Sequence, residues 1–139
     1  MINQTIETAF RVLIYLGSQD ANRLVSLQEI HEVVGGSATY LAKITAVLSR
    51  EGLLSSQRGA QGGLQLGREA KKIIMLEVIE ATQGKFRPFG EAKGKTGKGK
   101  WGNYQVVADG LNDMLVSALG KITLADLIGA KAAKPSKKK

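Results

Sequence analysis

The segment GEAKGKTGKGKWGN, residues 90 to 103, holds the residue types that bind phosphate: Gly90, Gly94, Lys95 and Thr96 follow one another much as in a nucleotide-binding loop. Such a loop needs four residues between its first glycine and the Gly-Lys pair, because that length wraps backbone N–H groups around a β-phosphate. Gly90 and Gly94 leave three. No apolar strand leads into the segment, and GKGKWGN after Thr96 shows no sign of opening the helix on which a phosphate would rest. Nucleotide hydrolysis therefore fails on spacing and context. The other catalytic sets fail on inventory, with one histidine, no cysteine and acids scattered along helix surfaces, so no enzyme is expected. His31 alone makes no metal site and is expected to be a half-exposed packing residue.

The lysines of that segment belong to a wider pattern. The net charge of +8 is uneven: residues 1–83 carry eight basic and eight acidic side chains, and residues 104–130 carry one basic and three acidic. The excess lies in Lys85, Arg87, Lys93, Lys95, Lys98 and Lys100 against Glu91, and in the five lysines of residues 131–139. Such runs favour polyanions by counterion release, and basic tails also serve as solvated appendages. At 139 residues the chain suits one domain, which at this size buries roughly two-thirds of its unfolded surface. Only 5% of residues are aromatic, so an aliphatic core is expected. No stretch approaches the ~18 apolar residues of a membrane span, and MINQTIETAF lacks an export signal's basic start and apolar run. A cytoplasmic location without a membrane partner is expected.

Local signals then place the elements. TIETAFRVLIYLG repeats apolar residues at helical spacing through Ile6, Ala9, Phe10, Leu13 and Leu16 and stops at Gly17. SLQEIHEVVGG begins with Ser26 and Glu29 in capping-box register and ends at Gly35 and Gly36. SATYLAKITAVLSREG follows at once, with Ser37 as cap and an apolar stripe through Leu41, Ile44, Val47 and Leu48. Two helices across a tight glycine turn predict a helix-turn-helix, whose second helix would present Thr39, Tyr40 and Lys43 as exposed polar residues to base edges.

LLSSQRGAQGGLQLG predicts strands over 53–57 and 63–67 about a glycine-rich tip, and hence a wing. Arg58 at that tip could enter a minor groove, and Gly59, Gly62 and Gly63 would let backbone approach phosphate. Lys43, Arg50, Arg58, Arg68, Lys71 and Lys72 outnumber Glu51 and Glu69, so this part is locally basic. IIMLEVIEATQG closes the module as a short helix. Residues 84–103 hold six glycines without periodicity and are expected to be loop. From Tyr104 to Leu119 a helical stripe returns through Val107, Leu111, Met114, Leu115 and Ala118, and a second copy could cover it. Packing back on its own domain is the competing use of that stripe.

The fold expected is mainly α with a small β-hairpin wing. Its parts are a winged helix-turn-helix over 1–83, a Gly/Lys-rich connector over 84–103, a dimerisation helix with a terminal short helix over 104–130, and a basic disordered tail over 131–139.

This order of features resembles the winged-helix regulators that include the iron-sulfur regulator IscR, the nitric oxide sensor NsrR and the cysteine-metabolism regulator CymR. The resemblance runs from residue 5 to about 128 and rests on AFRVLIYL, SATYLAKITAVLSREGLL, SSQRGAQGGLQL, IIMLEVIEATQG and ITLADLI in sequence. It implies a homodimer that binds double-stranded DNA at a palindromic operator, in most cases as a repressor. The DNA-contacting residues it implies are Ser37, Thr39, Tyr40 and Lys43 on the recognition helix, with Arg58, Gly59, Gln61, Gly62 and Gly63 on the wing. Lys43 stands where some relatives have glutamine, which would alter the base read there.

Many members hold an iron-sulfur cluster on three connector cysteines. Here Ala92, Thr96, Gly99, Gly102 and Tyr104 occupy that region, and the chain has no thiolate, so no cofactor is expected. Glu7 matches a carboxylate that some members add as a cofactor ligand from the first helix, and a solvated first-turn glutamate is the plainer role for it. If the chain senses a small effector, its identity is open and the connector is its place, with Trp101, the only tryptophan, as reporter. The composition alone also allows a basic architectural DNA- or RNA-binding protein without sequence readout.

Overall fold

The computed structural model describes residues 3–20, 22–90 and 99–132. Helix α1 (Gln4–Gly17) starts where the Asn3 side chain accepts a hydrogen bond from the Ile6 N–H at 3.1 Å, and it buries Ile6, Ala9, Val12, Leu13 and Leu16. Helices α2 (Leu27–Val34) and α3 (Ala38–Arg50) begin at the expected serines, Ser26 accepting from the Glu29 N–H at 3.0 Å and Ser37 from the Tyr40 N–H at 3.1 Å. The expected capping box of α2 is only half made, because the Glu29 carboxylate is engaged by Arg23 and Tyr15 instead. Between them Gly35 and Gly36 both take positive φ, 88° and 85°, which a side chain would strain. The apolar faces of these helices meet in one aliphatic core with Ile30, Leu41, Ile44 and Leu48.

Strands β1 (Leu54–Gln57) and β2 (Gly63–Leu66) pair antiparallel with Leu54 opposite Leu66 and Gln57 opposite Gly63. The hairpin is anchored from outside itself. Val25, just before α2, exchanges two backbone hydrogen bonds with Leu64 at 2.8 and 2.7 Å, so a third strand-like residue ties the wing to the helix-turn-helix. A Cβ at Gly63 would lie 2.8 Å from the Val25 carbonyl oxygen, and only glycine permits that approach. A single 3-10 turn (Ala70–Lys72) leads to α4 (Met75–Gln83), whose first turn is capped by the Glu77 carboxylate accepting from the Ile74 N–H at 3.0 Å.

Helix α5 (Gly102–Leu119) starts two residues before the expected position, inside GKGKWGN. The carbonyl of Trp101 accepts from the Gln105 N–H at 3.1 Å, so a helix opens there despite the glycines on either side. Helix α6 (Leu124–Ala132) is capped reciprocally: Thr123 N–H donates to Asp126 at 2.9 Å and Asp126 N–H to the Thr123 hydroxyl at 3.1 Å.

The packing of α6 differs from the sequence-based division, which grouped it with the dimerisation helix. Leu124 is 1% exposed within the main core, and backbone hydrogen bonds at 2.8 Å join Met75 to Ile122 and Leu124 to Ile73. Gly17 makes room for Ile128, whose Cδ1 would lie 2.5 Å from a Cβ there. The last helix therefore completes the first module, across the connector and α5. It also extends to Ala132, past the point where the basic tail was expected to begin.

The C-terminal end of α5 is likewise bound to the module. A second cluster of Ile6, Ile79 and Phe86 takes in Val116 and Leu119. The buried Asn112 side chain accepts from the Phe89 N–H and donates to the Gly90 carbonyl, both at 2.9 Å, while Arg87 donates to Asp113 at 3.1 Å. The first seven connector residues, 84 to 90, are thereby fixed against α5. Residues 91–98, with most of the connector lysines, and 133–139 of the basic tail lie outside the described residues. Among the described residues no helix is long and apolar enough to cross a membrane.

Candidate nucleic-acid interface

The module's basic side chains divide into two sets. Arg11 pairs with Glu7 at 2.7 Å, Arg23 with Glu29 at 2.8 Å, Arg68 with Glu77 at 2.9 Å and Lys72 with Glu69 at 3.6 Å. Lys43, Arg50, Arg58 and Lys71 have no acidic partner among the described residues. The two sets have different jobs available to them. Arg23 forks across both oxygens of Glu29, and the Tyr15 hydroxyl donates to the same carboxylate, so a residue of α1 and one of the α1–α2 connector together hold α2 in place. The Arg23 guanidinium, and after it the Tyr15 hydroxyl, hold Glu29 below the usual carboxylate range. Arg68 and Lys72, counted as basic surface from sequence, are offset in the same way by Glu77 and Glu69. The uncompensated charge sits on α3, at the wing tip and on the 3-10 turn.

At the start of α3, Thr39 and Lys43 are exposed, as expected, and the exposed Ser37 caps the helix. The unpaired first N–H groups and the helix dipole add positive potential there, suited to a phosphate. Tyr40 departs from expectation. It is half-buried against the core, and its hydroxyl donates to the Thr5 hydroxyl at 3.1 Å, because its ring lies on the α1 side of α3. Tyr40 therefore joins α3 to α1 and lines an open cleft of about 1260 Å³ between the start of α1 and the helix-turn-helix turn.

On the wing, Arg58, Gly59 and Gln61 are exposed. Gly59 takes φ 103° and its carbonyl accepts from the Gly62 N–H at 3.0 Å, closing the tip. A Cβ at Gly62 would lie 2.1 Å from the Gln57 carbonyl oxygen, so the tight tip that projects Arg58 demands glycine at 62.

Glu7, which matches the carboxylate ligand of some family members, sits on the surface of α1 bound by Arg11, with 58% of its side chain exposed. Among the described residues no three His, Cys, Asp or Glu side chains converge, and the chain has no cysteine and one histidine. These donors do not fit an iron-sulfur cluster, which requires thiolate or imidazole ligands.

The face of α5 turned away from the module is apolar. Tyr104, Val107 and Met114 are 62%, 60% and 69% exposed, and Leu111 and Leu115 are also exposed. Its inner face carries the buried Ala108 and Asn112.

Comparison with known proteins agrees with this arrangement. Residues 2–130 match the Rrf2 family, described as iron-dependent transcriptional regulators. IscR of T. potens is 28% identical with a TM-score of 0.78, over 99% of this chain and 93% of that one. CymR, the global cysteine regulator of B. subtilis, shares the fold at 24% identity and TM-score 0.78, over 94% and 97%. CymR of Staphylococcus aureus in its oxidized form gives 23% and 0.73, over 92% and 95%. Matched over nearly its whole length and sharing the winged-helix fold end to end, the chain belongs to the Rrf2 family of DNA-binding transcriptional regulators.

Proposed function

We propose that the protein is a homodimeric repressor that reads a palindromic operator. Two copies of α3 enter successive major grooves about one helical turn apart, and the wings take the flanking minor grooves. The observation that carries this reading is the separation of the module's cations: half are paired with carboxylates, Arg23 and Arg68 bridging between elements, and the rest, on α3, the wing tip and the 3-10 turn, have no acidic partner among the described residues. Thr39 and Lys43 contact the groove, Ser37 and the N-terminal amides of α3 hold a phosphate, and Arg58 enters the minor groove. Gly59, Gln61, Gly62 and Gly63 bring the wing backbone close to the sugar-phosphate chain. Tyr40 acts here as a positioning residue through Thr5. The exposed stripe of α5 supplies the dimer contact, and occupation of a promoter by the dimer is sufficient for repression.

Selection of bound duplexes from a random pool by the full chain tests the reading. A two-fold symmetric consensus is expected, and absence of enrichment would favour an architectural, sequence-blind protein. Arg58→Ala should lose roughly 10- to 100-fold in preference for the selected operator over random duplex, the worth of one good groove contact, while weak salt-sensitive binding persists.

A further inference from the structure

We infer that the pocket at the start of α5 binds a small organic cation, an amine or alkylammonium. The pocket encloses about 470 Å³, within the range of small-molecule sites, and is lined by Phe89, Trp101, Tyr104, Gln105, Ala108 and Asp109. It gathers the only tryptophan, one of three tyrosines and one of three phenylalanines of a chain poor in aromatics. Each of these rings is substantially exposed, Trp101 at 67% and Phe89 at 42%. Ring faces carry negative electrostatic potential and attract a cation within about 6 Å of the centroid. The molecule already shows this contact, since the Lys100 ammonium lies 5.4 Å from the centre of the Trp101 ring.

Asp109 gives the pocket its sign. In a chain of net charge +8, this partly buried carboxylate lines the aromatic pocket without an ion-pair or hydrogen-bond partner among the described residues. A carboxylate withdrawn from water beside ring faces is completed by a cation and repels an anion. The nearby helix N-terminus and Lys100 favour an anion by comparison, but neither removes the repulsion from Asp109 and the ring faces. One wall is set in advance: Asn112 holds the Phe89 and Gly90 backbone through two hydrogen bonds, and Ala108 is buried beneath. A preformed site spends little of its binding free energy on ordering. A second copy seated on the apolar stripe would share Tyr104 with the pocket and leave the charged side open, because Asp109 lies about 140° or more around α5 from Leu111 and Met114, at roughly 100° per residue. The inference does not depend on the DNA-binding reading.

Its test is a titration of the full-length protein with choline, followed by Trp101 fluorescence, against the neutral carbon isostere dimethylbutanol. Choline should quench saturably and bind about tenfold or more tightly than the alcohol. Asp109→Asn should weaken choline about fivefold or more, and Tyr104→Ala should also weaken it. Lys100→Gln, at an exposed position that leaves the fold intact, should tighten choline binding by removing a competing charge. Equal response to both probes, or unchanged choline binding in Asp109→Asn, overturns the proposal. So does a fluorescence signal that ignores choline but shifts to the blue as protein concentration rises, which would assign the pocket to a second copy of the chain.

Discussion

Helices α3 and α5 carry the same kind of sequence signal and use it in opposite directions. In α3 the apolar stripe of Leu41, Ile44 and Leu48 is buried by its own chain, and the polar start of the helix is left outside with Ser37, Thr39 and Lys43. In α5 the residues buried by its own chain include a glycine, an alanine and an asparagine, while Tyr104, Val107, Leu111 and Met114 face outward. Exposed groups on α3 are those that water or phosphate can solvate. Exposed aliphatic groups on α5 gain from a second apolar surface, at about 25 cal/mol per Å² removed from water. The apolar face of one helix is covered within the folded chain and that of the other is not, which is the physical basis for proposing DNA as the partner of the first and a second copy as the partner of the second.

Charging the open face breaks this contrast most directly. Leu111→Asp with Met114→Asp should give a folded monomer by sedimentation and circular dichroism, with operator binding weakened by about 100-fold or more because a single half-site remains. A folded variant that stays dimeric would remove α5 from the interface. The next effect concerns where the closed region ends. Leu124→Ala should cost about 3 kcal/mol in denaturant unfolding, the usual loss for emptying a fully buried leucine site, while the dimer persists. A loss below about 1 kcal/mol would place α6 outside the core.

The smallest effect probes the brace that holds α2. Glu29 has a carboxyl pKa lowered in the folded state, chiefly by Arg23, so its contribution is present above the unfolded carboxylate range and disappears as pH falls through the folded value. Glu29→Gln should therefore flatten the acid side of the stability profile and leave its shape near neutral pH unaltered. Identical acid limbs in both proteins would show that the brace is without thermodynamic weight.

Much of this is legible in the sequence. Ser26 and Ser37 mark two helix starts because capping is a three-residue interaction, and the hairpin follows from alternation around glycines, another short-range rule. What escaped were relations across long separations. Tyr40 was expected in solvent and instead bonds Thr5, 35 residues away. The local surplus of basic residues includes Arg68, which meets Glu77, a carboxylate nine residues off that the local count leaves out. Residues 84–90 lack periodicity but are held by Asn112, whose polarity within an apolar stripe was the one available hint.

The sequence by itself determined the helices, the wing, the absence of thiolate ligands and the family resemblance, because each depends on residue types at fixed short spacing. Tertiary structure alone decided which face of each amphipathic helix is covered, which cations are spent on internal braces, and that α6 returns across the connector to close the first core. Periodicity shows that a helix has an apolar side; only packing shows whether its own chain has enough surface to cover it.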